Sequence, residues 1–497
     1  MAGMTYQNWV QNFFYGGFAD DKFLGIKNSF QYAKGVEIRE NPNSLTLARS
    51  VDKISGSVVD TAIKSMVTIS TTGDLIMFGS NGKIFRRVNN TGSVTLVYTD
   101  TGNAAILNGF EYNGYLYWAT AANLHRIAIS AIDADWTGSV TEDYKTFLVG
   151  NANAHPMIEI SNILYIGDGK YLAELDSFGT FTGNRLSIFG DEEIRALTWN
   201  GKLCRIYSRK STHVDYGAQY FWNGTSVVYN DRIIWEGLTI HTAFNKDGYD
   251  YVIAGKRPII FVTSDYQRIP LKALPMIGRI DDCEIAPNGV TLFENLLVIA
   301  ACAGGTNTIG RGAWTFGKFN KNYPEVINFD YPTSNDNVTD KVYCVHQNNG
   351  ALYLSWGNSA GTTFGVDMVS TTTLYRATGE LVSLVMYGSL AEYLKELKRL
   401  GISFKPTAVN EKIEIFLRKN LASTWPATPE ITVPDSKFGS TNSYAFLESP
   451  AAIGDFNFIE VKIILTAGLN RTTTPTLTGI SLVFDPNIDT NQNVGQS

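Results

Sequence analysis

Seven short stretches of the chain share one outline, a polar turn followed by an apolar strand anchored by Leu or Tyr. They are Gly73-Asp74-Leu75-Ile76, Asn113-Gly114-Tyr115-Leu116, Ser161-Asn162-Ile163-Leu164, Asn200-Gly201-Lys202-Leu203, Asp247-Gly248 with Tyr251, Glu294-Asn295-Leu296-Leu297 and Asn349-Gly350-Ala351-Leu352. The anchors Leu75, Leu116, Leu164, Leu203, Tyr251, Leu297 and Leu352 stand 41, 48, 39, 48, 46 and 55 residues apart. A period of about 45 residues is what one four-stranded propeller blade consumes. In the first three repeats a further strand follows at a fixed offset: Ile84, Leu124 and Leu172 lie 9, 8 and 8 residues after their anchors. A constant offset implies a fixed hairpin, because turn type and loop length lock the register. The pattern predicts an all-β chain with a seven-bladed β-propeller over residues 61–388.

The flanks read differently. Residues 1–60 form an N-terminal docking segment in which 28–39 and 44–49 alternate like strands, broken by Asn41-Pro42-Asn43. These strands are expected to pair with a later domain or to close the propeller ring, which would leave no exposed edge. Near Ser389 the character changes. Ser389-Leu390-Ala391-Glu392 has the form of a capping box, Leu390, Tyr393, Leu394 and Leu397 follow at helical spacing, and Gly401 is a stop. One short helix is therefore expected between the propeller and a C-terminal β-sandwich-like domain over 389–486, with strands at 401–404, 412–418, 456–466 and 477–484. Residues 487–497 are polar and read as a flexible tail. The later repeats loosen and carry insertions such as Gly304-Gly305-Thr306-Asn307, and in repeat arrays insertions map to one face, often the binding face.

Composition excludes several functions. A chain of 497 residues with 18% charged residues and a net charge of −6 lacks the clustered Lys and Arg that nucleic-acid binding demands. No window is apolar enough to span a membrane, and the N-terminus lacks the basic start and apolar run of a secretory signal. Cys204, Cys283, Cys302 and Cys344 are too scattered for short-spaced zinc ligation and read as buried reduced thiols. Gly312-Ala313-Trp314-Thr315-Phe316-Gly317-Lys318 begins like a phosphate-binding loop, but Phe319 stands where a Ser or Thr must hold magnesium. The five histidines fall in no metalloprotease arrangement, and His125 occupies a strand position held by Phe85 in the first repeat. Carboxylate groups at Asp133/Asp135, Asp191-Glu192-Glu193 and Asp281-Asp282 are the candidates for glycoside hydrolysis, and Asn335-Asp336-Asn337 with Asp340, like Asp133 with Asp135, offers oxygen ligands for calcium without EF-hand spacing. No catalytic residue, cofactor or metal is assigned.

Aromatic residues are the richest resource, at 12% of the chain. Phe13, Phe14, Tyr15 and Phe18 lie outside the repeats and are the candidate interface with a partner. Tyr220, Phe221 and Trp222 are the candidate contacts for a ligand or receptor.

The chain resembles virion structural proteins of tailed bacteriophages, in particular propeller-bearing tail components. The resemblance is carried by Phe23-Leu24-Gly25-Ile26-Lys27-Asn28-Ser29-Phe30 with Gly35-Val36-Glu37-Ile38-Arg39, by Gly82-Lys83-Ile84-Phe85-Arg86-Arg87 and by Asn113-Gly114-Tyr115-Leu116-Tyr117-Trp118. It extends over most of the chain as architecture and brings no catalytic residues with it. It implies a non-enzymatic nozzle, hub or tip protein, assembled in the host cytoplasm. Several copies would form a homo-oligomeric ring near the DNA exit channel, against other tail or adaptor proteins. The alternatives are a virion protein binding a host-surface glycan or receptor, and a propeller glycosidase acting on host polysaccharide.

Overall fold

The computed structural model describes residues 7–19, 21–25, 28–210, 213–264, 266–274, 285–301, 311–318, 321–337, 340–358, 360–371, 374–387, 394–448 and 454–486. The chain is all-β and divides into two compact units, one of Val51–Thr315 with Pro332–Val369, the other of Met1–Ser50, Phe316–Tyr331 and Ser370–Ser497.

The polar turns seen in the sequence set the plan of the first unit. At five of the seven, two successive residues hold positive φ: Asn113/Gly114, Ser161/Asn162, Asp247/Gly248, Glu294/Asn295 and Asn349/Gly350. That is the two-residue hairpin turn whose twist matches its flanking strands. Each turn delivers the chain into the second strand of a sheet, where the anchors lie; Leu203 sits one residue ahead of its strand. The first sheet is Ile63–Thr68, Leu75–Gly79, Lys83–Arg87 and Val94–Thr99; the second is Asn108–Tyr112, Tyr115–Ala119, Asn123–Ala128 and Thr141–Thr146. The third is Met157–Ile160, Ile163–Asp168, Tyr171–Leu175 and Phe181–Ser187, and the fourth Glu192–Trp199, Cys204–Lys210, His213–Trp222 and Asp231–Glu236. Ile240–Lys246, Tyr249–Ala254, Ile259–Ser264 and Gln267–Ala273 make the fifth, and the sixth opens with Val290–Phe293, Leu296–Ala301 and Gly312–Gly317. The seventh takes Lys341–Asn348, Ala351–Gly357 and Phe364–Val369 and is completed out of order by Val51–Lys53, paired as Asp52↔Met368. The leading strand of each sheet lies against that of the next, and Lys341–Asn348 returns to Ile63–Thr68. The architecture is propeller-like, and the apolar cores lie between successive sheets, as where Phe78 and Ile84 of the first meet Trp118 and Ile127 of the second.

The leading strand of the second sheet comes close to Phe78, on the second strand of the first, because a glycine stands there. A Cβ on Gly109 would lie 2.1 Å from the ring of Phe78. Gly109→Ala should therefore destabilise the fold by about 1–3 kcal/mol, the usual cost of overpacking. Phe78→Leu in the same chain should recover part of that loss in urea unfolding. Equal stability of Gly109→Ala and the parent would contradict the packing.

The second unit contains two five-stranded sheets. One runs Gln7–Gln11, Leu477–Pro486, Lys395–Phe404, Tyr444–Glu448, with Asp455–Phe456 also on Lys395–Phe404. The other runs Phe30–Lys34, Thr378–Ser383, Ile459–Thr466, Lys412–Lys419, Ile431–Val433. Each buries one set of alternating residues: Leu400, Ile402, Ile480 and Leu482 in the first, Ile413, Ile415, Val461 and Ile463 in the second. Within the expected 28–39 a strand pairs with a later segment, whereas the strand that completes the seventh sheet lies just past the expected 44–49. Phe30–Lys34 pairs with Thr378–Ser383, and Val51–Lys53 closes the seventh sheet.

The expected helix after Ser389 is corrected in part. Residues 388–393 lie outside the described residues, and Lys395–Phe404 is a strand. Buried Leu397 and Leu400 stand three apart because a bulge falls between Leu397 and Arg399.

Candidate functional site

The proposed aromatic contacts are placed inside the molecule. Tyr220, Phe221 and Trp222 are each 0% exposed, on the strand His213–Trp222. Trp222 meets Tyr165 edge to face at 5.1 Å and donates its indole N–H to the Ser226 carbonyl, and Phe221 packs on Tyr266 at 4.8 Å. These side chains fill the core around the fourth sheet and present no surface to a ligand. The N-terminal cluster splits. Phe14 and Phe18 are buried in the second unit, with Phe18 against Phe30 at 5.1 Å, so neither is an interface residue. Phe13 is exposed, Tyr15 is half-buried, and Tyr15 packs on Tyr323 at 4.9 Å. Tyr220, Phe221 and Trp222 are consecutive on one strand and all buried, so both faces of that strand are covered.

The candidate carboxylates are absorbed by local structure. Glu192 is buried and accepts hydrogen bonds from Ser208 Oγ, from Tyr216 and Tyr220 hydroxyls at 2.8 and 2.9 Å, and from Arg232. Glu193 takes Asn153 Nδ2 at 2.8 Å and Arg209 Nε at 2.7 Å, with Arg195 at 3.6 Å. Burial works to raise the Glu193 carboxyl, but Arg209, Arg195 and Asn153 outweigh it and hold the group below the usual carboxylate range. Asp133 and Asp135 cap one turn, accepting the backbone N–H of Asp135 and Thr137 at 2.9 Å each. Asp340 accepts Thr333 Oγ1 at 3.0 Å and Asn335 Nδ2 at 2.9 Å. Asp281 and Asp282 lie outside the described residues, as do Cys283 and Cys302. Cys204 and Cys344 are buried free thiols. Gly312–Gly317 is a fully buried strand rather than a phosphate loop. Among the described residues no group of three or more His, Cys, Asp or Glu is placed to hold a metal ion, and no helix is long and apolar enough to cross a membrane.

A buried polar centre joins the fourth and fifth sheets. Asp250 is 0% exposed and accepts Thr198 Oγ1 at 2.7 Å, Tyr207 Oη at 2.6 Å and Asn245 Nδ2 at 2.6 Å, with Arg205 Nη1 at 3.0 Å. Burial, then the Asp250 charge, push the Tyr207 phenol well above its ordinary value. Its sequence signal is an acid placed directly before the anchor, in Asp250-Tyr251. Asp74-Leu75 of the first repeat repeats it, and Asp74 pairs with Arg86 at 2.7 Å.

Three of the four histidines with described side chains behave as packing groups, and the fourth, His241, bonds the Gly255 carbonyl at 2.8 Å. His125 stacks on Trp118 at 5.7 Å, His155 stacks on Phe147 at 4.2 Å and bonds the Gly167 carbonyl at 2.8 Å, and His346 Nε2 lies 2.8 Å from Thr68 Oγ1. Burial lowers all three, His346 to about 4 from 6.5. The unfolded chain thus takes up these protons at a higher pH than the folded one. For His346, stability is fully present above about pH 6.5, falls as pH drops, and stops falling on this account below about 4, a loss of about 3 kcal/mol. Asp340 and Asp367, whose carboxyls burial raises, work in the opposite direction at the acid end. His346→Gln should flatten the fall in Tm between pH 7 and 4, and an unchanged profile would refute the assignment.

A surface cleft of about 600 Å³ opens between the outer strands of the first two sheets, lined by Leu96, Tyr98, Thr101, Asp135, Thr137 and Glu142. Glu142 accepts from the Tyr98 hydroxyl and from Thr101 Oγ1 at 2.7 Å. Burial opposes ionisation of Glu142, yet these bonds hold its carboxyl low, while burial and Glu142 raise the Tyr98 phenol. The carboxylate is committed to holding the two sheets in register.

No protein-family model matches the chain, and no curated protein does. Among solved structures, the computationally designed Ika8 protein is 11% identical, with a TM-score of 0.40 over 67% of this chain and 96% of that one. The extracellular domain of a candidate hybrid two component system from B. thetaiotaomicron is 12% identical, with a TM-score of 0.45 over 75% and 43%. Raptor from Chaetomium thermophilum is 10% identical, with a TM-score of 0.43 over 66% and 30%.

Proposed function

We propose that the chain is a non-enzymatic structural component of a bacteriophage tail, a nozzle, hub or tip protein present in several copies near the DNA exit channel. In this proposal the seven sheets are the blades of a seven-bladed propeller, and the second unit is a sandwich-like domain that docks to neighbouring tail or adaptor proteins. The observation that carries it is the out-of-order closure of the seventh sheet by Val51–Lys53. A ring joined by a strand from the other end of its sequence cannot open without breaking a sheet, and that suits a rigid, load-bearing body. The resemblance of 23–30, 35–39, 82–87 and 113–118 to phage tail proteins supplies the setting. The glycosidase alternative loses ground because Glu192 and Glu193 are tied into buried hydrogen bonds and ion pairs.

Peptide mass spectrometry and a cryo-EM map of purified particles test the proposal. A symmetric ring of copies around the tail channel is expected. Absence from the particle, or one isolated copy on a flexible stalk, would overturn it.

A further inference from the structure

The outward face of the sheet Gln7–Gln11, Leu477–Pro486, Lys395–Phe404, Tyr444–Glu448 is unlike an ordinary solvated face. Strand register places three rows of side chains across its four strands. The middle row is Val10, Ser481, Gly401 and Phe446; the next is Gly479, Ser403 and Tyr444, with Asn12 just beyond its strand; the third is Asn8, Val483, Arg399 and Glu448. In the first two rows the inner columns are only Gly and Ser, while the outer columns are large. The result is a trough of about 340 Å³, floored by Gly401, Ser403, Gly479 and Ser481. Its walls stand three strand spacings apart, about 14 Å. The floor has no room for larger residues at its glycines. A Cβ on Gly479 would meet Asn12 Oδ1 at 2.6 Å and Ser403 Oγ at 2.8 Å, and one on Gly401 would meet Ser481 Oγ at 2.8 Å.

One wall is aromatic. Tyr444 is 63% exposed and Phe446 36%, with parallel rings (8° apart) at 6.3 Å. The Arg399 guanidinium lies 4.6 Å from the Phe446 centroid and fixes that ring, while Glu448 at 3.5 Å balances its charge. Hydroxyls and an amide therefore line the trough beside an exposed ring, and its one cation is neutralised.

We propose that this trough binds an uncharged saccharide chain. A sugar ring has an apolar face, which suits Tyr444, and a rim of hydroxyls, which suits Ser403, Ser481 and Asn12. Charge selects against a polynucleotide. A polynucleotide needs unneutralised cations for its phosphates, and Arg399 is already paired. The inference is independent of the tail assignment, so the particle map and a binding titration can fail separately.

The test is isothermal titration of the full chain with neutral hexasaccharides of α-1,4-glucose, β-1,4-glucose and β-1,4-N-acetylglucosamine, beside a dT oligonucleotide. At least one hexasaccharide should bind, and Tyr444→Ala should weaken it about tenfold. Ser481→Phe, which fills the floor, should abolish binding, with circular dichroism and Tm confirming that both variants fold. The proposal is overturned if no hexasaccharide binds, if both folded variants bind like the parent, or if the oligonucleotide binds in preference.

Discussion

Asp250→Ala is expected to lower unfolding stability by about 3–5 kcal/mol, the range found when one partner of a buried ion pair is removed. Arg205 is 1% exposed, and Thr198 and Tyr207 are likewise buried with hydroxyls aimed at the same carboxylate. Deleting the carboxylate removes the acceptor of three hydrogen bonds and leaves a guanidinium without this counter-charge, away from water. The effect should exceed that of any surface ion pair, such as Lys256 with Asp215 at 3.5 Å, where both partners are more than half exposed. Urea unfolding followed by circular dichroism gives the measurement. The double variant Asp250→Leu with Arg205→Met should recover the share due to the guanidinium, because apolar replacement of a buried ion pair is often near neutral, but not the share due to Thr198, Tyr207 and Asn245, which lose the same acceptor. A single variant within 1 kcal/mol of the parent would mean that the centre is solvated.

Much of the first unit was legible because its signal is local. Asn-Gly and Asp-Gly at two positive-φ positions dictate a hairpin whatever surrounds them. The anchors that follow then fall in the second strands. What escaped the sequence depends on partners far along the chain. Leu397 reads in the sequence as the end of a helix, yet Lys395–Phe404 is a strand that pairs with Leu477–Pro486 across a long stretch of sequence. Tyr220 and Trp222 resemble a sugar platform until the fourth sheet buries them, whereas Tyr444 and Phe446, unremarked in the sequence, sit on an open face. Ligand-like composition and ligand-like placement are separate properties. Inward or outward aim follows from register, and register here is set between segments as distant as Val10 and Ser481. Asp250 escaped for a related reason, since it sits beside a turn, where acids are ordinarily solvated, and only the neighbouring sheet covers it.

The same distinction separates the structural and enzymatic views of Asp191-Glu192-Glu193. Glu192→Ala should cost about 3 kcal/mol, since the carboxylate accepts from Ser208, Tyr216, Tyr220 and Arg232 and its side chain is fully buried. Arg232, 19% exposed and near the ring of Phe189, can turn toward water, which keeps the cost below that at Asp250. Tyr216 and Tyr220, whose phenols burial and Glu192 raise, should titrate at lower pH in the variant, visible in ultraviolet difference spectra. A catalytic carboxylate would behave in the opposite way. Functional groups are commonly held in strained or destabilising settings, so their removal leaves stability unchanged or improved while activity is lost. Glu192→Ala with an undiminished Tm and loss of a polysaccharide-cleaving activity present in the parent would therefore overturn the non-enzymatic assignment. A lowered Tm with no such activity in either protein would tie the acidic turn to the seam of the fourth sheet.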